Sequence, residues 1–280
     1  MYRAKAQGKA CYAVFDRTLR ERAVAVQALE ADLRGALRRG ELGVHYQPIV
    51  EARSGRLVGL EALVRWQHPQ LGAVSPGEFI PLAGETGLVI ELDRWVLETA
   101  CAQVAVWDAR YGGLLSVSVN LSSQQFGRSD LTDAVAAALE GSGLEPARLK
   151  LELTEGVMLA TTPAVARSLA GLRALGVGLA IDDFGTGYSS LAYLQRLSAD
   201  QLKIDRAFID KLGTAGGTEL VRTVVAVAHA LGMEVVAEGV ETATQLAELQ
   251  SLACEFVQGY YLSKPLSAAG VGALLEQNAA

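Results

Sequence analysis

Eight short apolar runs recur along the chain, and six of the last seven carry a residue able to ligate a metal or aim a water molecule. The first spans 44–50. Glu61 lies in 57–66, Asn120 closes 114–120, Glu152 sits in 149–155, Asp182 and Asp183 end 178–183, Glu238 ends 234–238, and Gln258 lies in 255–260. The remaining run, 201–205, carries Lys203 and Asp205. Strands whose polar residues gather at one end are building a site there, since carboxylates in mid-strand would be buried without partners. The pattern predicts a βα barrel with its chemistry on the C-terminal face.

A chain of 280 residues with 50% hydrophobic content suffices for one such barrel, which typically takes about 250 residues. Its net charge of −6 argues against a general DNA or RNA binder, which needs a basic face to release counter-ions from phosphates. An anionic ligand fits if metals supply the positive charge. Cys11, Cys101 and Cys254 lack CxxC spacing and read as reduced core thiols. No apolar stretch reaches a membrane span and no signal-peptide core is visible, so the chain reads as soluble and cytoplasmic. Any membrane tether would belong to a longer parent protein.

The runs at 44–50 and 57–66 are joined by six residues, too few for the crossover that parallel strands need, so they form an antiparallel hairpin. Every later gap is long enough for a helix. Helices are expected over 88–110, over 130–139 ended by Gly141, from Thr162-Pro163 to Gly176, and over 188–197, 218–231 and 242–252. The fold class is therefore α/β, a triosephosphate-isomerase-type (β/α)8 barrel with an antiparallel first strand. The competing fold is an open doubly wound sheet with a Gly-rich phosphate loop. Its only candidate loop, 185–190, lacks both the third glycine of a dinucleotide fingerprint and the Gly-Lys-Ser/Thr of a P-loop.

Side chains alternate along a strand with a period of two. Ser116, Ser118 and Asn120 share one face, as do Lys150, Glu152 and Thr154, then Gly178, Ala180 and Asp182, then Gln201, Lys203 and Asp205. The opposite faces are aliphatic, so Asn120, Glu152, Asp182 and Lys203 converge inside the barrel mouth. Like charges at about 4 Å repel by about 4 kcal/mol at an effective dielectric near 20. Four or five carboxylates there either protonate or hold divalent metals. An all-oxygen set without His or Cys points to a hard cation such as Mg²⁺ or Mn²⁺. The plainer alternative is that each acid caps a helix or pairs with an arginine.

The segments Glu61-Ala-Leu-Val-Arg-Trp66 with His68-Pro69, Val119-Asn-Leu-Ser122, Glu152-Leu-Thr-Glu155, Asp182-Asp-Phe-Gly-Thr-Gly-Tyr-Ser-Ser190, Leu202-Lys-Ile-Asp205, Ala237-Glu-Gly-Val-Glu241 and Gln258-Gly-Tyr260 together resemble the EAL-domain family of cyclic di-GMP phosphodiesterases. The resemblance spans about residues 25–275 in the family's order. It implies hydrolysis of cyclic di-GMP to linear 5′-pGpG with two Mg²⁺ or Mn²⁺ ions. By this likeness Glu61, Asn120, Glu152 and Asp182 bind one metal, while Asp182, Asp183 and Glu238 hold the second. Lys203 serves the attacking water or the developing phosphorane charge, with Asp205 and Glu241 orienting Lys203 and the ligands. Gln258 holds a metal-bound water, and Arg65 and Gln47 contact the nucleotide. Glu155 anchors the loop after Asp182-Asp183, whose following helix makes a homodimer contact in the family. Gly84 and Glu255 depart from the family's usual residues, and neither is a proposed ligand. His45, His68 and His229 match no catalytic position and read as structural.

Residues 1–16 resemble the final helix and strand of a GGDEF (diguanylate cyclase) domain, and 17–40 read as a helical linker with Leu19, Val26, Leu29, Leu33 and Leu37 on one stripe. The expected organisation is a remnant of a preceding GGDEF-like domain at 1–16, the linker, and the barrel at 41–276, cut from a longer GGDEF-EAL protein. Three functions follow from different classes. They are an active metal-dependent phosphodiesterase, a cyclic di-GMP receptor that does not hydrolyse its ligand, and a scaffold indifferent to nucleotide. The full ligand set favours the first, and the third leaves the acidic cluster without a purpose.

Overall fold

The turn between the first two strands is short, and the computed structural model shows its consequence. Strand β1 (Leu42–Glu51) runs antiparallel to β2 (Leu57–His68), in register from Leu42 opposite Trp66 to Ile49 opposite Gly59, with an irregularity before Val50 pairs with Leu57. The structure describes residues 17–112, 115–154, 162–185 and 199–279, together with Val157, Leu194 and Leu197. The expectations for residues 1–16, Glu155, and the turn and helix at 186–197 lie outside these, apart from the two leucines.

From β2 the sheet continues in parallel through β4 (Ser116–Leu121), β5 (Leu149–Thr154), β6 (Gly178–Phe184), β7 (Gln201–Ile204), β8 (Glu234–Ala237) and β9 (Phe256–Val257). Strand β9 then pairs antiparallel with β1 through Val50–Val257 and Glu51–Phe256. The eight runs therefore close on themselves, and the open doubly wound alternative is excluded. A ninth strand, β3 (Gly72–Val74), extends β2 beyond the barrel. It is three residues long with no apolar run of its own, which is why no periodicity announces it.

Among the described residues the helices surround the barrel; those over 17–36, 89–111, 131–142, 163–175, 215–230 and 243–251 fall close to their expected places, and those over 76–86, 123–126, 206–209 and 268–279 answer to no expected helix. They are α1 (Arg17–Ala36), α2 (Pro76–Thr86), α3 (Val89–Tyr111), α4 (Ser123–Phe126), α5 (Leu131–Ser142), α6 (Pro163–Leu175), α7 (Arg206–Ile209), α8 (Ala215–Ala230), α9 (Ala243–Ser251) and α10 (Ala268–Ala279). Helix α2 is unexpected from sequence because Pro81 lies inside it. Helix α5 runs through Gly141 and ends at Gly143, whose φ of 71° supplies the left-handed cap that Gly141 was expected to give. Helix α6 starts as its residues dictate, with the Thr162 hydroxyl accepting from the Val165 amide and Gly176 closing the C-terminus. Helix α9 opens on a reciprocal capping box between Thr242 and Gln245.

The outer faces of the strands, such as Val117, Val119, Leu151, Leu153, Leu179 and Ile181, are fully buried against these helices. Helix α3 contributes Val89, Leu92, Val96, Ala100, Val104 and Trp107, the last edge-on to Tyr46 at 5.0 Å. Helix α1 buries Leu33 and Ala36 and fixes the far end of β2. Asp32 pairs with His68 at 3.2 Å, while His68 Nδ1 accepts from the amides of Gln70 and Leu71. His68 is thus structural, as its sequence context suggested. His229 pairs with Glu255 on the opposite end of the barrel.

Candidate active site

The period-two register carries one residue per strand to the interior of the mouth, and the structure brings them together around Lys203. Its ammonium, 1% exposed, lies 2.6 Å from Glu152 on β5, 2.6 Å from Glu238 after β8, 3.2 Å from Asp182 on β6 and 3.4 Å from Glu61 on β2. Ala180 stands beside Glu152 in the register, so no bulky side chain competes for the space that the Glu152 and Lys203 heads occupy. A buried charge needs such partners. Both oxygens of Glu61 are held: Asn120 donates to Oε1 at 2.8 Å, and Gln258 donates to Oε2 at 2.5 Å. Gln258 also donates to Gln47, which faces Glu61 across the β1–β2 pair.

Asp183 breaks the alternation. Strict period two would send it to the opposite face from Asp182, yet ligand oxygens of Asp182, Asp183 and Glu238 lie within 4.8 Å of one another. A register shift between Ile181 and Phe184 makes this possible, with Asp183 in the left-handed region at φ 54°. Aspartate tolerates that conformation better than most residues, and such strain concentrates at functional sites. Gly185, at φ 95°, lies two residues further on, and a β-carbon there would run into the Phe208 ring.

Electrostatics set the acids apart from one another. Burial would lower the Lys203 pKa, but the fields of Glu152, Glu238, Glu61 and Asp182 more than reverse this and hold it well above its ordinary value. Burial would raise Glu61, while Lys203 and the amides of Gln258 and Asn120 keep it below the usual carboxylate value. Glu152 is pushed well up by burial, against Lys203 and with repulsion from Glu61, Asp182 and Glu238. Glu238 rises to about 7 for the same reasons, and Asp183 rises through burial and its neighbour Asp182.

With all five acids ionised, Lys203 leaves the cage a surplus of four negative charges, which two divalent cations would neutralise. Glu152 Oε1 and Gln258 Oε1 are buried with no hydrogen-bond partner among the described residues. Orphaned oxygens in an all-oxygen donor set are what a hard cation requires, so the residues fit such an ion.

The remaining expected residues sit further out. Asp205 caps α7 by accepting from the Ala207 amide at 2.8 Å, and Glu241 pairs with Arg206 at 2.8 Å. Neither is among the acids within 4.0 Å of Lys203. Gln258 binds Glu61 and Gln47 through its amide nitrogen. Arg65 is half-buried, donates to the Val64 carbonyl and lines a cleft of about 250 Å³ that adjoins Asn120.

That cleft also holds Asp93, a residue the sequence reading missed. Its carboxylate is 8% exposed, accepts from the Ser122 amide at 2.9 Å and is pushed up to about 6 by burial. The signal was available: Asp93 lies four residues after Val89 and four before Leu97 on the buried stripe of α3.

The EAL-domain profile matches residues 30–265. The chain belongs to the EAL-domain family. The chain is 45% identical over 269 residues to the bifunctional diguanylate cyclase/cyclic di-GMP phosphodiesterase MucR of Pseudomonas aeruginosa, covering 96% of this chain and 39% of that protein. It is 44% identical over 272 residues to the cyclic di-GMP phosphodiesterase NbdA of the same organism, covering 97% of this chain and 35% of that one. The chain therefore spans well under half the length of these relatives. A solved structure of the PaMucR phosphodiesterase in complex with c-di-GMP superposes with a TM-score of 0.84 at 45% identity, covering 87% of this chain and 99% of that one. Among the described residues no helix is long and apolar enough to cross a membrane.

Proposed function

We propose that this EAL domain hydrolyses cyclic di-GMP to linear 5′-pGpG with the aid of two divalent cations, Mg²⁺ or Mn²⁺. The observation that carries this reading is the acid cage itself: five carboxylates and Asn120, drawn from β2, β4, β5, β6 and the end of β8, meet at one rim, with the buried Glu152 Oε1 left unpartnered. The names of MucR and NbdA supply the substrate class. Glu61, Asn120, Glu152 and Asp182 would hold one ion, and Asp182, Asp183 and Glu238 the other. Bound cations of this kind supply a nucleophile from water at neutral pH and offset charge on the phosphate.

The chain's own residues do the rest. Asn120 and Gln258 fix the two Glu61 oxygens, so the carboxylate keeps one orientation through the reaction. Lys203 is the cation that the chain itself places among these acids, and it stabilises charge that grows on the phosphoryl oxygens as water attacks phosphorus and the P–O3′ bond breaks. Water's oxygen joins phosphorus, one of its protons ends on the departing 3′ oxygen, and the product keeps its 5′ phosphate. Arg65, at the wall of the adjoining cleft, and Gln47, beside Gln258, contact the nucleotide. Asp205 and Glu241 act indirectly, by setting the α7 cap and the position of Arg206.

The test is to incubate purified protein with cyclic di-GMP and Mn²⁺ and to follow nucleotides by chromatography. Formation of pGpG that disappears with EDTA supports hydrolysis. Tight binding without product would make the domain a receptor, and absence of binding would remove cyclic di-GMP altogether.

A further inference from the structure

Lys203 sits where an acid cage would otherwise need a metal. Its ammonium touches carboxylates from four different strand ends, at 2.6, 2.6, 3.2 and 3.4 Å. An ammonium has three donors, so four acid partners enclose it more completely than hydrogen bonding alone requires. Those same four acids are the ones assigned above to the ions. Lys203 holds Glu152 through Oε2 and Glu238 through Oε1, so a cation that takes either carboxylate through both oxygens has to displace the ammonium.

We propose that Lys203 is the cage's built-in counter-ion, which lets the barrel close around five acids before any metal arrives and is displaced from Glu152 and Glu238 when cations load. This rests on the two-cation reading of the site. Without an internal cation, the buried acids would repel one another and lose solvation together. Lysine suits the task because its charge is compact and its four-carbon stem flexible, so the head can withdraw toward the mouth without moving β7. The displaced head then lies on the side from which a phosphate enters, where the proposed mechanism needs it. One side chain thus serves two stations, holding the empty cage together and stabilising the reaction in the loaded one.

The experiment compares wild type with Lys203→Met, which keeps the stem and removes the charge. Thermal unfolding is measured with and without saturating Mn²⁺, and Mn²⁺ affinity by calorimetry. The metal-free variant is expected to melt lower by about 5–10 °C. Saturating Mn²⁺ should at least halve that gap, and the variant should bind the ion about tenfold more tightly. Should the variant fail to fold without metal, wild type carries the test alone. Its buried Lys203 ¹⁵Nζ resonance, followed during Mg²⁺ titration, should move as the ions bind. Equal Mn²⁺ affinity in both proteins, a melting deficit that Mn²⁺ leaves unchanged, or a resonance that stays fixed while Mg²⁺ binds would overturn the displacement. If neither protein binds an ion, the two-cation reading falls, and this inference with it.

Discussion

Replacing Asp93 by asparagine should make the protein more stable at neutral pH and leave it little changed in acid. Asp93 faces inward from α3, 8% exposed, and burial pushes its carboxyl up to about 6 from an ordinary 3.8. The hydrogen bond from Ser122 pulls it back only in part. A folded-state pKa above the unfolded value means that folding takes up a proton between those two values. Stability is therefore lost as pH rises from about 4 to about 6, and the cost is complete above that window. Two pH units at 1.36 kcal/mol each give about 3 kcal/mol.

Asparagine keeps an oxygen to accept from Ser122 but brings an NH₂ group into an apolar cleft, so the net gain at pH 8 should be about 1–3 kcal/mol. For a chain of this size that is roughly 2–12 °C in melting temperature. Urea unfolding of both proteins at pH 5, 6, 7 and 8 measures it. The cage acids titrate alike in both, so the difference between the two curves isolates Asp93. A variant less stable at pH 8, or a difference constant across the range, would refute the reasoning.

Gly259→Ala should cost about 3 kcal/mol, because a β-carbon there would lie 2.1 Å from the Val240 carbonyl oxygen and 2.2 Å from its nitrogen. Gln258 would be levered off Glu61, so melting temperature and Mn²⁺ affinity should fall together, and an unchanged pair of values contradicts this. Asp183→Asn keeps a side chain that accepts the left-handed backbone while removing one of the clustered charges. Metal-free stability should rise and the second ion should bind more weakly, both readable by calorimetry. Glu61→Ala and Asp182→Asn should each abolish turnover with the circular dichroism spectrum preserved, and wild-type rates in either would remove it from the ligand set.

Most of the barrel was legible because its rules are local. Apolar runs with polar ends gave all eight barrel strands, the short 51–56 link forced the antiparallel start, and Thr162-Pro163 and Thr242 marked helix openings at their observed places. Period two alone brought Asn120, Glu152, Asp182 and Lys203 to one mouth. What escaped depends on breaks in those rules. Pro81 hid α2, and the register shift that brings Asp183 beside Asp182 and Glu238 leaves no mark in hydrophobic spacing. The contacts of Asp205 and Glu241 escaped because a position on a strand end does not say which neighbour a side chain will choose.

The proposed hydrolysis requires that the acid cage hold two divalent cations side by side. Crystals soaked in Mn²⁺ and measured at the manganese absorption edge should show two anomalous peaks per chain, one against Glu61, Asn120, Glu152 and Asp182 and the other against Asp182, Asp183 and Glu238. A cage with no peak in Mn²⁺-saturated crystals, its acids still gathered on Lys203, would contradict it.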